Sequence, residues 1–202
     1  MSPQFVSVMA RRLVNFVEGS YYHIYNRGAG KRNIFISNDN YVFVMKKIAA
    51  YSMSTSVKVT ACCLMPNHYH LLLYQGGAKK AGSMVQYVFN SYTKAFNVMY
   101  KRSGTLFEAP FKAKLVDKEE YLTSLCCYIH LNPVSAQLAQ RPEQWQYSKY
   151  LECVGKRNRF PHDQSFIIDH FGSPSGYEQF VREYAVGKKQ SEKFFEYLFD
   201  EE

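Results

Sequence analysis

The residues best suited to chemistry fall in two short runs. His68 and His70 flank Tyr69 in His68-Tyr69-His70-Leu71-Leu72-Leu73, an apolar stretch with the character of a strand. Alternate side chains of a strand share a face, so the two imidazoles point one way and Tyr69 the other. Such a pair is either a ready set of metal ligands or a hydrogen-bonded polar pair. The second run is Tyr128-Ile129-His130-Leu131-Asn132-Pro133-Val134. On a helix, Tyr128 and Asn132 are one turn apart on a common face, and Ile129 falls on a flank that can pack. Asn132 offers a neutral amide oxygen, a hard donor suited to Mg2+ or Mn2+. Tyr128 is either core or a nucleophile, and only a fold that lays this helix across the strand of His68 and His70 joins the two runs.

The elements needed for that are visible. Tyr21 to Asn26 reads as a strand, stopped by Arg27-Gly28-Ala29-Gly30. Asn38 to Met53 has apolar residues at helical spacing behind the capping run Ser37-Asn38-Asp39-Asn40. Two strand-like runs, Val57 to Leu64 and His68 to Tyr74, are joined by the turn-prone Met65-Pro66-Asn67. A second helix is expected over residues 82 to 101 and a strand from Phe111 to Val116. A third helix opens on Asp117-Lys118-Glu119-Glu120, acidic as the helix dipole favours, and is expected to end at Asn132-Pro133. The order β-α-β-β-α-β-α predicts an α+β fold, a ferredoxin-like split βαβ antiparallel sheet with an added C-terminal helix.

The chain has 202 residues and a net charge of +8, with 47% hydrophobic and 21% charged residues, ordinary globular composition. From Gly76 to Val116 seven Lys or Arg face one acid, Glu108, and aromatic residues are interleaved with them. That combination suits a polyanion with bases to stack, although a solvated helix face above packed rings would read the same way. Four of the five cysteines form the adjacent pairs Cys62-Cys63 and Cys126-Cys127, which neither close ordinary disulfides nor have zinc-site spacing. A cytoplasmic protein is expected, since Arg11, Arg12 and Glu18 interrupt the apolar stretches at the start and leave no export signal. Residues 1–155 are expected to form one domain. Residues 156–202, with short helices at Phe166 to Phe171 and Tyr177 to Ala185 and an acidic tail from Glu192, form a helical C-terminal extension.

Leu64-Met65-Pro66-Asn67-His68-Tyr69-His70-Leu71-Leu72 resembles the His-hydrophobic-His (HUH) motif of the single-tyrosine transposases. The run from Tyr128 to Val134 resembles the segment bearing their nucleophile. Further similarity lies in Tyr22-His23-Ile24-Tyr25-Asn26-Arg27-Gly28, Gly104-Thr105-Leu106-Phe107-Glu108 and Trp145-Gln146-Tyr147-Ser148-Lys149-Tyr150, so five ordered motifs span roughly residues 20 to 155. Within that family the chain resembles the REP-associated tyrosine transposases. The resemblance implies a metal-dependent endonuclease and strand transferase that recognises a single-stranded DNA hairpin and cuts beside it through a 5′-phosphotyrosine. Tyr128 is then the nucleophile, and His68, His70 and Asn132 hold Mg2+ or Mn2+. A monomer or a homodimer is compatible with this, with the nucleoid as the place of action.

Weaker candidates surround that set. Arg27, Lys112 and Lys114 could meet DNA phosphates, and His23 could support the metal site from behind. His130 should point elsewhere on its helix, and His162 and His170 have no partner spacing. The alternative is a non-catalytic single-stranded nucleic-acid-binding module of the same fold, which would need none of His68, His70, Tyr128 and Asn132. A zinc hydrolase would need a third His or a carboxylate for which the sequence offers no clear source.

Overall fold

Aromatic and branched runs become strands and the amphipathic runs become helices, in the expected order. The computed structural model describes residues 14–160 and 164–187. Its strands are β1 (Ser20–Arg27), β2 (Val57–Met65), β3 (His68–Gln75) and β4 (Lys112–Val116). Its helices are α1 (Asn38–Met53), α2 (Ala81–Met99), α3 (Glu119–Ser135), α4 (Tyr150–Cys153), α5 (Ser165–Phe171) and α6 (Pro174–Val186). The strands form one antiparallel sheet in the order β2-β3-β1-β4, the ferredoxin-like arrangement. Arg11, Arg12, His162 and the acidic tail lie outside the described residues. Among the described residues no helix is long and apolar enough to cross a membrane.

The period of two divides the sheet into two cores. Tyr22 and Ile24 of β1 and Tyr69, Leu71 and Leu73 of β3 pack with α1 and α2, and Tyr69 stacks on Phe89 at 3.8 Å between ring centroids. Leu72 of β3 packs with α3 and α6 on the other face. In β2 the alternation breaks at a bulge between Val59 and Ala61. Val57 and Val59 face the α1 and α2 side, and after the extra residue so do Cys62 and Leu64, which leaves Ala61, Cys63 and Met65 toward α3. Two carbonyls at the bulge are met by side chains. The Lys149 ammonium donates to Val59 O and the Cys153 thiol lies 3.9 Å from Thr60 O. The outer edge of β2 is covered by the segment after Trp145, where Leu64 N donates to Tyr147 O at 3.0 Å and Lys149 N donates to Cys62 O at 2.9 Å. All five cysteines are buried and free, and Cys62 and Cys63 lie in different cores.

One boundary departs from expectation. Helix α3 runs through Pro133 to Ser135 instead of stopping at Asn132. Proline this close to the end removes a single intrahelical donor, and the last turn still closes through Ala136 N to Asn132 O and Leu138 N to Pro133 O, both 2.9 Å. Helix α6 starts at a Ser173 cap that accepts from Gly176 N, with Pro174 in its first turn. It packs Tyr177 and Val181 into the same core as Leu125, Cys126 and Ile129 of α3. The Tyr177 hydroxyl is 2.6 Å from His130 Nδ1 and 3.3 Å from Cys126 Sγ, so the extension is tied by hydrogen bonds to the helix that bears Tyr128.

Candidate active site

Strand register assembles one polar row on the face under α3. Arg27 pairs with His68, Tyr25 with both His70 and Lys112, and His23 with Lys114. Steps of two along β1, β3 and β4 keep His23, Tyr25, His68, His70, Lys112 and Lys114 on that face. Helix α3 crosses it, and its four-residue repeat brings both Tyr128 and Asn132 down onto the histidines. The Tyr128 ring stands edge-on to His70 with centroids 5.6 Å apart, and Asn132 Oδ1 lies 3.4 Å from His68 Nε2. The four residues of the two runs therefore converge.

Hydrogen bonds decide which nitrogens are available. Asn67 Nδ2 donates to Lys31 O at 3.2 Å, which fixes that carboxamide and turns Oδ1 to His68 Nδ1 at 2.7 Å. An amide oxygen only accepts, so His68 carries its proton on Nδ1. Its Nε2 then presents a lone pair to the Asn132 carboxamide. His70 Nδ1 lies 3.0 Å from His23 Nε2, the two rings nearly parallel, and Tyr25 stacks on His23 at 4.8 Å.

Burial keeps these imidazoles neutral. It lowers His68, with Arg27 adding to the effect and Asn132 opposing it, and lowers His70 well below the ordinary value, with His23 and His68 assisting. His23 falls to about 3, first by burial and then through Lys114. Burial raises the Tyr128 phenol, and contact with Asn132 pulls the other way.

These donors fit a divalent ion. Two neutral imidazoles and an amide oxygen meet in one place, and at 3.4 Å the His68 lone pair faces an oxygen that also offers only lone pairs. That contact repels unless a cation lies between the two atoms or the carboxamide turns over. Among the described residues no three His, Cys, Asp or Glu side chains form a metal-binding group.

The weaker candidates separate. Lys112 is exposed and Lys114 half-buried on β4, both beside the site. Arg27 is engaged instead with Glu108 through two contacts, Nε to Oε2 at 3.2 Å and Nη2 to Oε1 at 3.1 Å. The basic cluster is divided by the sheet, since Lys94 belongs to α2 on the face away from α3. His130 is buried against Tyr177, and His170 Nδ1 is 3.4 Å from Glu119. Sequence reasoning did not single out Asn67 or Tyr25. Their signals were the turn position next to His68 and the two-residue step from His23.

Residues 16–132, more than half of the chain, match the IS200-like transposase family, and the chain belongs to that family. A REP-associated tyrosine transposase solved bound to a REP hairpin is similar over 78% of this chain and 94% of its own, at 15% identity and a TM-score of 0.59, a likeness of fold. A proposed transposase from Deinococcus radiodurans R1 aligns over 64% of this chain and 91% of its own at 15% identity and a TM-score of 0.39. No curated protein sequence is significantly similar to this one.

Proposed function

We propose that this transposase cuts and rejoins single-stranded DNA next to a hairpin through a covalent bond between Tyr128 and a 5′-phosphate. The observation that supports this reading best is the convergence of His68, His70 and Asn132 with Tyr128 under one helix. His68, His70 and Asn132 would hold Mg2+ or Mn2+. The ion, when bound, offsets the negative charge that builds on the non-bridging phosphate oxygens during in-line attack. Tyr128 supplies the nucleophile: its oxygen forms the new bond to phosphorus as the bond to the 3′-oxygen breaks, its proton leaves, and the 3′-oxygen gains one. Because burial holds the phenol protonated, attack near neutral pH depends on removing that proton as the bond forms. Asn132 favours its loss. Reversal by the same or another 3′-hydroxyl rejoins strands with no external energy source, since the phosphotyrosine keeps the diester.

Lys112 and Lys114 on the adjacent strand would take phosphates of the substrate. Arg27 would do so only by exchanging Glu108 for a phosphate. Residues 1–155 would contain the chemistry, and the extension from 156 would support it through the Tyr177 contact to α3. Labelled single-stranded hairpins from the flanks of the gene, incubated with Mg2+ or Mn2+ and run on a denaturing gel, test the reading. It expects a nick on one side of the hairpin and a protein-linked strand, both lost with EDTA. Hairpin binding with neither product would replace it with a non-catalytic binding module.

A further inference from the structure

A histidine that ligates a metal through one nitrogen must keep its proton on the other, and a buried ring has no solvent to set that choice. We propose that Asn67 and His23 are positioning residues that hold the protons of His68 and His70 on Nδ1, so that both rings present Nε2 to the same point. This rests on the reading of His68 and His70 as metal ligands and deepens it.

Asn67 is prepared for the task by its turn. Its backbone oxygen accepts from Gly28 N at 2.8 Å, the preceding Pro66 oxygen accepts from Ile34 N and Phe35 N at 2.8 and 3.0 Å, and its amide nitrogen is spent on Lys31 O. Only Oδ1 remains to face the ring. The loop that clamps this turn requires glycine at position 28, where a Cβ would come 2.1 Å from Arg32 O. The Asn67 oxygen is thus a fixed acceptor, and His68 Nδ1 must be the donor.

The second contact is between two imidazoles, with one proton between them. If His23 Nε2 donated, His70 would accept at Nδ1, carry its own proton on Nε2, and have no lone pair for a ligand. If His70 Nδ1 donates, His23 accepts and the remaining lone pair of His70 lies on Nε2. Ligation selects the second arrangement. His23 is fully buried beneath the site and stacked on Tyr25, so its ring has little freedom to leave the contact. Groups that hydrogen-bond a ligating imidazole from behind in this way are worth about 10–100-fold in metal affinity.

The test uses the full chain labelled with 15N-histidine. Long-range 1H–15N spectra of the Mg2+-loaded protein read which nitrogen carries each proton, and calorimetry reads Mn2+ affinity. His68 and His70 should both be protonated at Nδ1. Asn67→Ala and His23→Phe, folded by circular dichroism, should weaken Mn2+ by about 10–100-fold, while Asn67→Asp and His23→Gln, which keep an acceptor oxygen, should recover most of it. A role in folding alone would leave the protonated nitrogen and the recovery unexplained. Folded Asn67→Ala with wild-type Mn2+ affinity overturns the proposal while the metal reading stands, whereas a proton on Nε2 of either ring overturns both the proposal and that ring's place as a ligand. A wild-type chain with no saturable Mn2+ binding overturns the metal reading itself. Should His23→Phe fail to fold, the wild-type spectra and the Asn67 pair still decide.

Discussion

Acidification from pH 7 to pH 5 should cost the fold about 2 kcal/mol through His23 alone. The ring is fully buried, and its pKa is about 3 in the folded chain. In the unfolded chain it is ~6.5. Between these values the unfolded state is protonated and the folded state is not, so the unfolded state binds more protons and stability falls as pH falls. Each pH unit below the unfolded value costs about 1.4 kcal/mol, and pH 5 lies about 1.5 units below it. The loss continues until about pH 3, where the folded ring protonates as well. His68 and His70, also lowered by burial, act in the same direction. Urea unfolding at pH 7, 6 and 5 without added metal measures the slope, above the range where ordinary carboxylates titrate. His23→Gln, which cannot titrate, should lose about 2 kcal/mol less over this interval than the wild type. Equal losses in both, or a folded-state NMR titration of His23 centred near 6.5, would refute the reasoning.

Tyr177→Phe keeps the ring and removes the hydroxyl that meets His130 and Cys126. It should destabilise the chain by about 1–3 kcal/mol in urea, the cost of a buried polar group losing its partner. A change within a few tenths would mean that α6 is not anchored there. Replacing Lys112 and Lys114 together with Gln should flatten the plot of log affinity for a single-stranded hairpin against log salt by about 0.7 per lost phosphate contact. An unchanged slope would mean that neither lysine meets a phosphate.

Much of the frame was legible because it depends on local periodicity. The Ser37-Asn38-Asp39-Asn40 run marks the start of α1, and α1 ends at Met53 as read. The period of two holds along β3, so His68 and His70 share a face and Tyr69 turns to the opposite core. Where a feature depends on the whole fold, the sequence was silent. The bulge after Val59 lies in a run buried on both faces, in which a change of parity leaves no trace in residue type. Pro133 looked like a terminator, yet the cost of a proline depends on how many turns follow it, and here almost none do. The ion pair of Arg27 with Glu108 could not be read from the sequence, because Glu108 is distant along the chain and is brought near by the bridge between Gly28 and Phe107. Likewise His130 carried no spacing signal, since its partner Tyr177 comes from the extension.

The most direct test of the central claim is mass spectrometry of the covalent adduct. Wild-type protein is incubated with a cleavable single-stranded hairpin and Mn2+, digested with protease and nuclease, and compared with Tyr128→Phe. The account predicts a nucleotide remnant on the peptide containing Tyr128, and in the Phe variant no adduct and no nicking, with hairpin and Mn2+ affinity within a few-fold of wild type. A remnant on any other tyrosine, or nicking by Tyr128→Phe at the wild-type rate, would contradict it.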